Sequence, residues 1–259
     1  KYVGYELPGR TLGVVGLGAI GVEIANAAVA LGMRVVGFDP TITVKSAWKM
    51  SSDVEEMGSI EELLKEADFV TFHVPLIDAT MNLLNEERIA GMKDGAVILN
   101  FARNGVVDDD AALAGFASGK INAYVCDFPA QKLKNNDRVI TLPHLGASTV
   151  EAEENCAMMI ADQIKDFLEN GNIKNSVNFP AVKLPRGGKS RVAITHKNMP
   201  DMIAKITAAV GDHGFNIHHM RNESKADLAY TLMDIECEIG DDLIQNFAAI
   251  DGVLKARQV

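Results

Sequence analysis

Leu12-Gly13-Val14-Val15-Gly16-Leu17-Gly18-Ala19-Ile20-Gly21 is the stretch on which the fold turns. An apolar strand pattern, Leu12 to Val15, runs straight into Gly16, Gly18 and Gly21. A helix pattern carrying Val22, Ala25, Ala28 and Leu31 opens at once behind them. GxGxxG alone is a weak signal, but between a strand and a helix it is specific. Gly16 permits a tight turn, Gly18 lets the backbone approach a diphosphate, and Gly21 lets the helix lie close to the strand. The backbone N–H groups of Gly18, Ala19 and Ile20 are then left facing an anion.

Working outward, apolar runs recur at Arg34 to Phe38, Asp68 to Val74, Ala96 to Phe101, Ile121 to Cys126 and Val139 to Leu142. Runs that are apolar at nearly every position suit strands covered on both faces, so the expected sheet is parallel. Ser59 and Glu62 form a capping-box pattern before Leu63 and Leu64, which marks one crossover helix. The expected fold class is α/β, a Rossmann-type doubly wound sheet over residues 1–148. Asp39 ends the second strand pattern, eighteen positions after Gly21. A carboxylate there accepts hydrogen bonds from both ribose hydroxyls and repels a 2′-phosphate, and no arginine follows it. The cofactor this predicts is NAD, preferred over NADP.

The rest of the chain has another pattern. Thr149 to Glu169 spells one long helix ended by Asn170 and Gly171, within an expected segment 149–171. Residues 172–190, with Pro180, Pro185, Gly187 and Gly188, read as a linker. Residues 191–259 spell strand, helix, strand, strand, helix, strand, the ferredoxin-like βαββαβ order. Of the 259 residues 47 % are apolar, enough for two cores, and the net charge is −10. Nucleic acid and anionic membrane are therefore not expected partners. Cys126, Cys156 and Cys237 lack metal-ligand spacing, so no metal is expected, and they fit a reducing, cytoplasmic setting.

Four further motifs follow in order: His73-Val74-Pro75, Asn100 to Asp108 (NFARNGVVD), Cys126-Asp127-Phe128-Pro129, and Pro143-His144-Leu145-Gly146-Ala147-Ser148-Thr149. Together with the glycine loop they resemble the D-isomer-specific 2-hydroxyacid dehydrogenases, over Gly9 to about Gly171. The resemblance implies Arg103 as the fixed cation for the substrate carboxylate and C2 oxygen, and His144 as the acid/base for the hydroxyl proton. It implies Asp127 at the nicotinamide end of the cofactor, Val74, Pro75, Phe101 and Ala102 as the adjoining wall, and further cofactor contacts at Gly146 and Ala147. One departure stands out. The glutamate that usually pairs with the histidine is absent between Asp127 and His144, and Lys132 stands at the corresponding count. Lys132 is therefore a candidate catalytic cation beside His144, with Lys134 as a weaker one and a solvated lysine as the bland alternative.

Residues 191–259 resemble an ACT module, a small regulatory domain that often binds amino acids where two copies meet. A dehydrogenase of this kind with a C-terminal ACT module resembles the phosphoglycerate-oxidising branch of the family. It implies 3-phosphoglycerate as substrate, serine as effector at His196, Asn198 and Asn216, and a homodimer or homotetramer. Asp201 occupies a position where the module commonly has glycine. The family's substrate domain is discontinuous, and its larger part is expected ahead of Lys1. The competing readings are another D-2-hydroxyacid dehydrogenase, a non-catalytic NAD-responsive binding protein, and an ACT module that only dimerises.

Overall fold

A computed structural model describes residues 4–259, which fall into two compact units, residues 4–146 and 147–259. The first unit begins β1 (Thr11–Val15), α1 (Ala19–Ala30), β2 (Arg34–Phe38), α2 (Val44–Ala47), β3 (Val54–Glu56) and α3 (Ile60–Glu66). It continues β4 (Phe69–Phe72), α4 (Glu86–Ala90), β5 (Ala96–Asn100), α5 (Asp109–Ser118), β6 (Ile121–Cys126) and β7 (Val139–Thr141), with a 3₁₀ turn at Gln131–Leu133. All pairings are parallel, in the order β3-β2-β1-β4-β5-β6-β7. The chain moves outward from β1 to β3 and then returns to lay β4 on the other side of β1. That reversal opens a crevice at the carboxyl ends of β1 and β4, the place where such sheets bind ligands.

Every residue of β1 is buried, because helices cover both faces of the sheet. On one face Leu12, Val14 and Val35 pack with Val22, Ala25 and Ala28 of α1. On the other, Val15, Val70, Phe72 and Ile98 pack with Leu63 and Leu64 of α3, Ile89 of α4 and Phe116 of α5. At the start of α3, Ser59 Oγ accepts from Glu62 N at 3.1 Å, as the capping pattern predicts. The returning bond from Gly58 N reaches Glu62 Oε2 at 3.0 Å, so it comes from the residue before the cap. The edge strand β3 and the short helices α2 and α4 are additions to the sequence reading.

The second unit opens with α6 (Val150–Asn170), capped by Thr149 Oγ1 and ended by Gly171 in the left-handed region at φ 71°. There follow β8 (Ser190–Lys197), α7 (Met202–Asp212), β9 (Ile217–Lys225), β10 (Leu228–Ile235), α8 (Asp241–Ala249) and β11 (Val253–Gln258). The sheet is antiparallel in the order β11-β8-β10-β9, the ferredoxin-like arrangement. Val192, Ile194, Met233 and Ile235 meet Ile206 of α7 and Phe247 of α8 on one face.

The other face corrects the expectation of a plain linker. Ile173, Phe179, Val182 and Leu184 pack there on Ala193, Tyr230 and Leu232, so residues 172–190 are part of the unit's core. Arg191 fastens the arrangement. Its guanidinium donates to both Asp234 oxygens, at 2.6 and 2.7 Å, and to the carbonyls of Asn170, Leu184 and Pro185. All five of its N–H groups are used, which is what a buried charge requires. Burial pushes the Asp234 carboxyl upward, and the bonds from Arg191 and Gly187 outweigh it, holding the group below its ordinary range. Among the described residues no helix is long and apolar enough to cross a membrane.

Candidate active site

The glycine loop has the geometry its sequence requires. Gly16 has φ +92°, and a Cβ there would lie 2.8 Å from both His73 O and Val74 Cγ1. A Cβ on Gly21 would lie 1.9 Å from Gly16 O, so only glycine lets α1 pack this closely on the turn. Gly18 is different. Its absent Cβ meets nothing within 4 Å, and Gly18 caps α1 without a side-chain bond to the helix. The first-turn N–H groups, including those of Ala19 and Ile20, are therefore presented to open space, as an anion site needs.

Asp39 follows β2 and is tied to the same loop. Its Oδ2 accepts from Leu17 N at 2.8 Å, while Oδ1 accepts from Thr41 N at 2.8 Å and Thr41 Oγ1 at 3.0 Å. Oδ2, with one donor, keeps lone-pair capacity for a ribose hydroxyl. An open backbone cradle with a fixed acid beside it fits a dinucleotide that carries no 2′-phosphate. His73 and Val74 line the crevice from the end of β4. Burial drives the His73 imidazole down to about 4, so it is neutral at physiological pH, with Nε2 3.0 Å from Thr71 Oγ1. Pro75 follows on the exposed side.

Three strand ends along the same edge bring the reactive side chains together. Asn100 closes β5 and is buried. Its Oδ1 accepts from Ala102 N at 3.2 Å, and its Nδ2 donates to Arg103 O at 3.0 Å and to the Tyr124 hydroxyl at 3.1 Å. These bonds shape the loop so that Phe101 is exposed, Ala102 is buried and Arg103 projects outward. Arg103 donates to Ala102 O at 2.7 Å, and among the described residues no carboxylate pairs with it. Its guanidinium carbon lies 5.9 Å from the centre of the Phe128 ring. The His144 ring lies 4.2 Å from that same centre. Phe128 is thus the common neighbour of the two groups that the sequence nominates for chemistry.

His144 lies 2.7 Å through Nδ1 from Asp127 Oδ2, with side-chain exposures of 48 % and 8 % respectively. An ionised carboxylate only accepts, so in the neutral ring Nδ1 carries the proton and Nε2 presents its lone pair. Beside the unpaired Arg103 cation, this arrangement can hold a carboxylate and take a proton from a neighbouring hydroxyl.

Lys132 is a correction. The structure does not seat it against His144: its ammonium is 2.8 Å from Asp110 Oδ2, both side chains are exposed, and that bond raises its pKa above the ordinary lysine value. The 3₁₀ turn at Gln131–Leu133 buries Leu133, and this directs the neighbouring Lys132 to the start of α5. Gly146 and Ala147 are exposed beyond β7, where the two units divide.

The residues nominated in the second unit are not brought together. His196 is 2 % exposed and faces the helices with Val192 and Ile194. Its Nδ1 donates to Lys197 O at 2.8 Å, and Nε2 lies 3.0 Å from Thr231 Oγ1 and 3.1 Å from Asn222 Oδ1. This corrects its assignment as an effector contact, because both ring nitrogens are engaged inside the unit. Asn198 is exposed and donates to Ala226 O at 3.0 Å. Asn216 is exposed at the opposite end of the sheet, since Lys197 aligns with Leu228 and Lys225, whereas Ile217 aligns with Ile235 and Ser190. Sequence reasoning missed Asn100, Tyr124 and Phe128. Asn100 and Phe128 stood within quoted motifs, and a buried asparagine closing a strand was the available signal for the first.

Comparison with known proteins agrees with this geometry. The sequence profile described as the D-isomer specific 2-hydroxyacid dehydrogenase NAD-binding domain matches residues 1–146. D-3-phosphoglycerate dehydrogenase of Haemophilus influenzae is 33 % identical over 98 % of this chain and 63 % of its own length. The enzyme of the same name from Methanocaldococcus jannaschii is 39 % identical over 83 % of this chain and 41 % of its own length. The chain thus spans less than two thirds of these relatives. Among solved structures, apo D-mandelate dehydrogenase of Rhodotorula graminis aligns with a TM-score of 0.58 at 32 % identity, over 63 % of this chain and 49 % of that one. D-lactate dehydrogenase of Aquifex aeolicus, solved with NAD and lactic acid, gives 0.55 at 31 % identity, over 64 % of this chain and 56 % of that one. A glycine cradle with its ribose acid, a profile match over the whole first unit and relatives along nearly the entire chain converge: the protein belongs to the D-isomer-specific 2-hydroxyacid dehydrogenase family, and its first unit is that family's NAD-binding domain.

Proposed function

We propose that the protein oxidises D-3-phosphoglycerate to 3-phosphohydroxypyruvate, the entry step of phosphorylated serine synthesis, in the cytoplasm. The observation that carries this reading is the Arg103–Phe128–His144 group, a free cation and a histidine on one aromatic ring. The relatives' names supply the substrate. NAD, when bound, supplies the hydride acceptor. The chain's own residues do the rest. The loop at Gly16, Gly18 and Gly21 holds the diphosphate, and Asp39 holds the ribose. Val74, Pro75, Phe101 and Ala102 wall the nicotinamide end. Arg103 orients the substrate carboxylate and C2 oxygen. His144 Nε2 takes the hydroxyl proton as the C2 hydrogen departs with its electron pair, and the C2–O bond becomes a carbonyl.

In the second unit we read an ACT module. Asn198 and Asn216 lie at opposite sheet ends, so a serine site built from both needs two copies of the chain, which supports a homodimer. The test is NADH oxidation driven by 3-phosphohydroxypyruvate in the complete gene product, with and without millimolar serine. Arg103→Ala and His144→Asn are each expected to lower kcat/KM on the order of 10³-fold. A gene product that binds NADH yet reduces no 2-keto acid is a binding protein, and the proposal is then wrong.

A further inference from the structure

We propose that Asp127 is the positioning residue for His144, the single carboxylate that decides which ring nitrogen carries the proton. The inference rests on the dehydrogenase reading above and adds to it the group that makes His144 competent. Between Asp127 and His144 the chain offers no glutamate, and its one other acid, Asp137, is exposed in the loop before β7. Lys132 is engaged by Asp110. Among the described residues, Asp127 is therefore the carboxylate that reaches the ring, at 2.7 Å.

The surroundings favour orientation over a casual surface bond. Asp127 follows β6 directly, so its backbone is set by a strand of the central sheet. Its side chain is buried while that of His144 is half exposed, so the acid is the fixed member of the pair and the imidazole the one being held. Phe128 lies against the ring face, so consecutive residues grip the imidazole by edge and by face. Asp127 Oδ1 is buried and meets no donor among the described residues. A carboxylate with one oxygen left unpaired is costly, and all of its side-chain hydrogen bonding is directed at His144. Held this way, the neutral ring is protonated at Nδ1 and bare at Nε2, the form that can accept a substrate proton.

The test is a long-range ¹H–¹⁵N spectrum of the 259-residue chain without ligand, at a pH where His144 is neutral. The expected wild-type signal is the Nδ1–H tautomer. Asp127→Asn is expected to shift His144 toward the Nε2–H form, and Asp127→Glu to restore the wild-type pattern in part. In turnover, Asp127→Asn should lower kcat by roughly 10²-fold or more, and Asp127→Glu should recover part of that loss. A wild-type Nε2–H tautomer, or an Asn variant that keeps both tautomer and kcat, overturns the proposal. The wild-type spectrum decides even if the Asn variant does not fold. It also decides if the gene product shows no dehydrogenase activity, an outcome that removes the functional reading separately.

Discussion

His144 follows an edge strand of the first unit and His196 lies near the end of a central strand of the second, yet hydrogen bonding gives the two rings opposite freedom. His144 is half exposed and committed through Nδ1 alone, to Asp127. His196 is buried, with Nδ1 on a backbone carbonyl and Nε2 against Thr231 and Asn222. A histidine with a free nitrogen at a crevice can exchange a proton with a ligand. One whose two nitrogens are consumed by its own chain works as a core crosslink. The lesson is that motif position nominates a histidine, and the balance of its hydrogen bonds assigns its work.

His73 is a third case, and it gives the largest stability effect in the comparison. It borders the glycine loop, but burial holds its pKa at about 4 against an ordinary 6.5. Between those values the unfolded chain binds a proton that the folded site refuses. Stability of the first unit therefore rises with pH across this window, is complete above about 6.5, and declines as pH falls toward 4. The span is worth up to ~3 kcal/mol. Urea titrations from pH 4 to pH 7, followed through resolved NMR signals of β4, should show this slope in the wild type and a flatter one in His73→Asn. Parallel curves would mean that His73 is not the group responsible.

For His196 the expected effect is smaller and confined to the second unit. His196→Ala opens a cavity and removes one bond each from Thr231 and Asn222, which still bond each other at 2.7 Å, and this should cost about 2 kcal/mol. Amide exchange in β8 and β10 should accelerate accordingly, while NADH affinity at the first unit stays unchanged. If the variant keeps its exchange protection but loses serine binding, the contrast between the two histidines fails and His196 returns to the surface role that its motif implied.

Much of this was legible beforehand, for definite reasons. β2 and β6 begin and end where their apolar runs do, and α6 runs from the residue after Thr149 to the one before Gly171. Those elements carry strong periodicity with marked ends. Val54-Glu55-Glu56 has no apolar run and forms a strand because β2 offers it an edge. The apolar residues of 172–190 were visible, but its prolines and glycines spoke for a linker. Tertiary packing, which no local pattern records, put it in a core. At the site, Arg103 and His144 were legible as strand-end residues. Lys132 was misplaced because sequence distance to His144 carries no information about which way a loop side chain turns. The inward face of His196 could have been found, since Val192, Ile194 and His196 alternate along one strand.

Asp201 gives the smallest effect and the sharpest contrast with the glycine loop. It stands one residue before α7 with φ 63°, in the left-handed region, and makes no side-chain cap bond. Gly16 shares the sign of φ at +92°, but there the backbone of His73 fills the space a Cβ would take. At Asp201 the Cβ is tolerated, and only local backbone strain opposes it. Replacing Asp201 with glycine removes that strain and adds freedom to the unfolded chain. The balance is a gain of about 0.5–1 kcal/mol. Calorimetry should show the second unit's transition rising by roughly 2–5 °C. A transition that falls would mean that the Asp201 carboxylate, next to the opening N–H groups of α7, stabilises the helix by more than the backbone strain costs. The aspartate would then be holding the Asn198 loop through its charge, and a glycine there would loosen the loop.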